Sequence, residues 1–158
     1  MLKEFPALFE ATLFPEISIV ANDQFKPGST SLNVVDAKIN SDLSVNCVGV
    51  TERRFIGELH VSTSDEVKRN IPYKIDILCV VSLRIIDSVP VSELENVAVI
   101  ATHAVAFPAI RELILSLTAR QPWGQFSIGM STLKSSKESL AKNSRPKKRP
   151  RLKTSVNQ

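Results

Sequence analysis

The chain has 158 residues, 43% of them apolar, enough for one ordinary domain with its own core. Its formal net charge of +4 is unevenly spread, because residues 134–158 hold nine Lys or Arg against the single acid Glu138, leaving eleven bases and fifteen acids in residues 1–133. The basic balance therefore belongs to the tail, the body is acidic, and two cysteines (Cys47 and Cys79) exclude a disulfide framework and read as buried free thiols in a reducing compartment.

Residues 1–28 are punctuated by Pro6, Pro15, Pro27 and Gly28. Phe5, Leu8, Phe9, Leu13 and Phe14 fall at helical intervals and predict a short amphipathic helix over 3–13, while 17–21 reads as a short strand. Residues 30–90 are a strand zone, with 32–39, 43–50, 55–63 and 73–86 rich in Val, Ile and Leu. Phe55, Gly57, Leu59 and Val61 alternate with Ile56, Glu58, His60 and Ser62, the pattern of a strand buried on one face. The run from Tyr73 alternates at first and is then continuously apolar from Ile77 to Val81. That change predicts cover on one side at its start and on both sides later. Residues 64–72 read as the connecting loop, and short polar links between consecutive strands favour an antiparallel sheet.

Residues 92–120 are a helical zone. Ser92 and Glu95 fit a capping box, with Ser at the N-cap and Glu three residues on. Leu94, Val97, Ala98, Ala101 and Val105 share one helical face. After Pro108 the apolar set is Ile110, Leu113, Ile114 and Leu117, so the apolar stripe is expected to jump by nearly half a turn at the proline. A proline inside a helix removes a backbone hydrogen bond and kinks or breaks it. The two halves are then expected to bury against different things, the second against another subunit, the alternative being a kinked helix packed only on its own sheet. Ile110, Leu113, Ile114 and Leu117 are accordingly the candidate oligomerisation residues.

The first residues lack the charged-then-apolar order of a secretory signal. The apolar run 97–107 is too short for a membrane span and is interrupted by His103 and Pro108. The expectation is a cytoplasmic protein with no membrane insertion, built as a folded domain over 1–133 and a disordered basic tail over 134–158, whose composition cannot bury enough surface to offset ordering. Catalytic constellations are missing. The two histidines, His60 and His103, stand in no metal-ligand spacing with the cysteines, and five glycines build no phosphate-binding or nucleophile-elbow signature. The chain reads as a non-enzyme with no cofactor. Arg145, Lys147, Lys148, Arg149, Arg151 and Lys153 read first as a solubilising tail with no specific partner; they can also grip phosphates by counterion release, making nucleic acid a candidate partner, and the same run fits an import signal, an anionic lipid surface or an acidic protein. The tail has no aromatic residue to stack on bases.

Residues 107–120 carry a family signal. Phe107, Pro108, Arg111 and Glu112, then Ile114, Ser116 and Arg120, resemble the long-helix motif of the SecB family of protein-export chaperones. Ile17 to Asn22 is similar to that family's first strand entering its apolar crossover, and 55–86 to its second and third strands. The resemblance implies an α+β fold, a four-stranded antiparallel sheet with a long Pro-interrupted helix packed on it, assembled through helices as a homotetrameric dimer of dimers. It also implies an ATP-independent holdase that takes unfolded polypeptides, preprotein or antitoxin, in apolar grooves. Phe25, Tyr73, Trp123, Phe126, Ile128 and Leu133 are the candidate client-binding residues, and read equally as ordinary core or loop anchors. Two departures bear on the export motor: Gln121, Pro122, Trp123 and Gly124 replace the family's Gly-aromatic-Pro sequence, and the tail is basic where the family's is acidic or polar. The family's second helix is not recognisable, since residues 130–142 offer only Leu133 and Leu140 as apolar helical anchors. The toxin–antitoxin branch of SecB-like chaperones fits this pattern better than a housekeeping exporter. A nucleic-acid-associated protein acting through its tail, or a dimerising adaptor without a client, are the other readings.

Overall fold

The computed structural model describes residues 5–27, 39–49, 51–63 and 70–129. It contains four strands, β1 Ala7–Ala21, β2 Ile39–Gly49, β3 Arg54–Thr63 and β4 Tyr73–Ile85, then a 3-10 turn Val91–Glu93 leading into the helix α1 Leu94–Thr118. All strand pairs are antiparallel and the sheet order is β1-β4-β3-β2, so the first strand lies beside the last. α1 covers one face of the sheet, in the α+β arrangement expected from sequence.

β4 is central and the most thoroughly buried element. Tyr73, Ile75, Ile77, Cys79, Val81, Leu83 and Ile85 all point under the helix and are at most 1% exposed. Phe55, Leu59 and Val61 of β3 join them on the same face, as their alternation indicated. The expectation of two-sided cover along Ile77 to Val81 is not met: Leu78 and Val80 point to the open face and are only half-buried.

Three local expectations are corrected. Residues 7–13 belong to β1, not to a helix, and residues 3 and 4 lie outside the described residues. Apolar residues spaced three and four apart in a short segment fit either element, and pairing with β4 from Ala7↔Ile85 to Ala21↔Tyr73 decides for the strand. Pro15 is tolerated because β1 is an edge strand and the register shifts between Leu13 and Glu16. Ser92 is not the N-cap of α1. Pro90, with φ −58°, starts the 3-10 turn, α1 begins at Leu94, and no side chain caps it. Cys79 is buried as expected, whereas Cys47 is exposed on the β2 edge. The strand expected over 32–39 falls outside the described residues except for Ile39, the first residue of β2.

The proline in α1 neither ends the helix nor makes the buried stripe jump. α1 is continuous through Pro108, and its fully covered residues include Ala98, Thr102, Ala106, Ile110, Ile114 and Thr118, a step of four throughout. Four residues are about 40° more than one turn, so the buried line winds steadily around the helix. Thr102 on this line meets Gly57 of β3, and Thr118 at its end is met by the returning segment at Phe126.

By length and composition the segment Val91–Thr118 is the one helix among the described residues able to cross a membrane. It is longer than the 97–107 run suggested, and here it is laid along the sheet as a core helix.

Candidate functional site

β1 ends at Ala21, and Asn22 turns the chain. Its backbone N–H donates to Pro72 O (2.9 Å) and its side-chain amide to Ile71 O (2.8 Å), while its Oδ1 accepts from Gln24 N (3.0 Å). Lys26 and Asn70 exchange a second pair of bonds, Lys26 N to Asn70 Oδ1 and Asn70 Nδ2 to Lys26 O. The segment 22–27 is thereby fixed against the approach to β4, with Phe25 turned inward.

The other wall comes from the end of α1. Gln121 N donates to Thr118 O and Gly124 N to Gln121 O, reversing the chain through Gly124, whose φ of +75° is a conformation suited to glycine. Residues 124–129 then return along the helix with no helix or strand of their own. Tyr73 bridges this segment: its hydroxyl donates to Gly124 O (2.7 Å) and accepts from Trp123 N (3.1 Å). Burial pushes the Tyr73 phenol above its ordinary value, partly offset by the Trp123 N–H. The Trp123 indole donates to Asn22 O (3.1 Å). Thr118 Oγ1 donates to Ile114 O (2.7 Å) and accepts from Phe126 N (2.9 Å). Arg111 Nε donates to Ser127 Oγ and Ile128 O, each at 3.2 Å.

The product is an aromatic corner. Phe25 meets Trp123 edge-on with centroids 5.3 Å apart, and Tyr73 meets Phe126 at 6.0 Å. Four of the six client-binding candidates are therefore brought together. Ile128 lies further along α1, beyond the corner, and Leu133 lies outside the described residues. Tyr73, Phe126 and Ile128 are closed in, Phe25 nearly so, and Trp123 is half-buried.

The assembly candidates separate by the winding of α1. Ile110 and Ile114 are fully buried in the chain's own core, while Leu113 is half-buried and Leu117 is 42% exposed. Arg111 and Glu112 do not pair: Arg111 holds the returning segment and Glu112 faces outward. Asn22 and Thr118 were missed by the sequence reading. A polar residue directly after a strand marks Asn22, but only the four-residue step of the stripe marks Thr118.

The corner gathers aromatic rings, amides and hydroxyls, with one cation, Arg111, at its far end. Among the described residues no three His, Cys, Asp or Glu converge as a metal site. His103 stacks on Phe107 at 5.4 Å, with its pKa lowered by desolvation, and His60 pairs with Asp76 on the open face of the sheet.

The four-stranded antiparallel sheet in the order 1-4-3-2, with one long helix across it, is a fold this chain shares with solved structures, a SecB-like chaperone among them. Among solved structures it is similar to a SecB-like chaperone of Mycobacterium tuberculosis in complex with a ChAD peptide from the HigA1 antitoxin, at 12% identity and TM-score 0.53, covering 80% of this chain and 88% of that one. It is equally similar to a protein of unknown function from Streptococcus agalactiae, at 12% identity and TM-score 0.52, covering 80% of this chain and 97% of that one. No protein-family model matches the sequence, and no curated protein matches it. The resemblance carried by residues 107–120 is met at the level of the fold.

Proposed function

We propose that this protein is a SecB-like, ATP-independent holdase that binds unfolded polypeptide, of the antitoxin kind before the exported kind, along the flank of α1 that the aromatic corner closes. The observation that carries this reading is the corner itself: Phe25, Tyr73, Trp123 and Phe126 converge from three separate parts of the chain where α1 leaves the sheet. The Mycobacterium tuberculosis chaperone of the same fold was solved holding an antitoxin peptide, which supports a polypeptide as the ligand. Burial of apolar side chains at about 25 cal/mol per Å² requires no side-chain code, as a holdase with varied clients needs. On this reading the protein works in the cytoplasm as a homo-oligomer, with Leu113, Leu117 and the edge strand β1 as the surfaces left for a second copy.

The test is suppression of aggregation of a chemically denatured protein on dilution, by the full chain and by a chain ending at Leu133. Suppression by both supports the holdase. Activity confined to the tailed protein, and consisting of nucleic-acid binding that weakens steeply with salt, would establish the second reading, which the nine bases against one acid of residues 134–158 favour.

A further inference from the structure

We infer that residues 123–129 are a strap that occupies the client's place on the flank of α1, and that client binding displaces it. This rests on the holdase reading and adds to it how the site is regulated.

Three observations point to it. The strap buries apolar side chains as a bound client would: Phe126 and Ile128 are turned inward and Gln125 outward, while Ser127 between them accepts a hydrogen bond from Arg111. Second, its fastenings differ from those of the rest of the fold. Beyond the turn at Gly124, no backbone–backbone hydrogen bond joins it to the sheet or the helix among the described residues. It is held by the hydroxyls of Tyr73 and Thr118, the carbonyl of Asn22 and the guanidinium of Arg111. Third, it runs along the late part of α1, bonded to Thr118 at one end and to Arg111 at the other.

These features make the strap exchangeable. An incoming apolar segment returns the burial that Phe126 and Ile128 give up, so exchange costs chiefly the side-chain bonds. The apparent affinity for a client is then the intrinsic affinity scaled by the fraction of molecules with the strap open. That fixes a sign. Weakening the strap's fastenings raises client affinity, whereas removing a group that itself touches the client lowers it.

Trp123 is the chain's single tryptophan and sits in the strap, so its fluorescence reports strap position in the full-length protein. The probe is reduced, carboxymethylated ribonuclease A, an unfolded polypeptide with no tryptophan. On binding it, Trp123 emission should shift to the red and become more accessible to acrylamide. Tyr73→Phe, which deletes both bonds to the strap and keeps the ring, should raise probe affinity on the order of tenfold. Gly124→Ala strains the turn at φ +75° without any clash, since no atom lies within 4 Å of the added Cβ, and should act in the same direction. Probe binding with Trp123 emission unchanged would overturn the strap and leave the holdase standing. So would a fall in affinity in both variants. No probe binding by wild type or by either variant would overturn both.

Discussion

Gly57 shows how closely α1 approaches the sheet. A Cβ at Gly57 would overlap the side chain of Thr102, which is fully buried and whose hydroxyl has no hydrogen-bond partner. Gly57→Ala should therefore cost about 2–3 kcal/mol by overpacking. Thr102→Val, replacing an unpaired buried hydroxyl with a methyl group, should stabilise by about 1 kcal/mol. Urea midpoints of the two variants at constant slope would check both, and a destabilised Thr102→Val would show that the hydroxyl has a role the fold does not reveal. The cysteines allow a second residue-scale test. Burial pushes the Cys79 thiol up to about 11, while Cys47 is exposed. Native protein at pH 8 should take up one equivalent of iodoacetamide, at Cys47, and a second only in denaturant. Rapid modification of both thiols would mean that the sheet opens locally under native conditions.

At the scale of elements, the winding of the buried line along α1 separates residues that look alike in sequence. Ile110→Ala removes a side chain with no exposure and should destabilise the chain itself by about 2–5 kcal/mol. Leu117→Lys lies on the open side and should leave stability within about 0.5 kcal/mol of wild type, while lowering the molecular mass measured by light scattering if Leu117 meets a second copy. A large loss of stability in Leu117→Lys with no change in mass would show that the helix is covered there by its own chain. Much of this element was legible. Phe107, Pro108 and Arg111 signalled the fold, and the alternation from Phe55 to Ser62 gave the sheet its inward face. The direction of the stripe was not legible, because Thr102, Ala106 and Thr118 are small or polar and do not register as core residues until the neighbouring layer is in place. The corner was half legible. Its aromatic residues stand out by composition, but Asn22 and Arg111 act through backbone carbonyls that no spacing reveals. The wrong reading at residues 3–13 has the same origin: the partner that makes β1 a strand lies about seventy residues away.

At the scale of the molecule, the body and the tail carry opposite charge, −4 over residues 1–133 and +8 over 134–158. On the holdase reading proposed above, raising salt should leave apolar client holding unchanged, and should abolish whatever the tail binds through phosphates. The placement of β1 beside β4 has a further consequence, in time rather than in space. β2, β3 and β4 are joined in succession, so their pairing closes short loops, whereas β1 must wait for the last strand made before it has anything to pair with. During synthesis its Leu8, Leu13, Ile17 and Val20 emerge first and are paired last. In pulse-labelled hydrogen exchange during refolding, the amides of β3 should gain protection before those of β1. An apolar β1 segment thus stays unpaired in each new copy until β4 has been made.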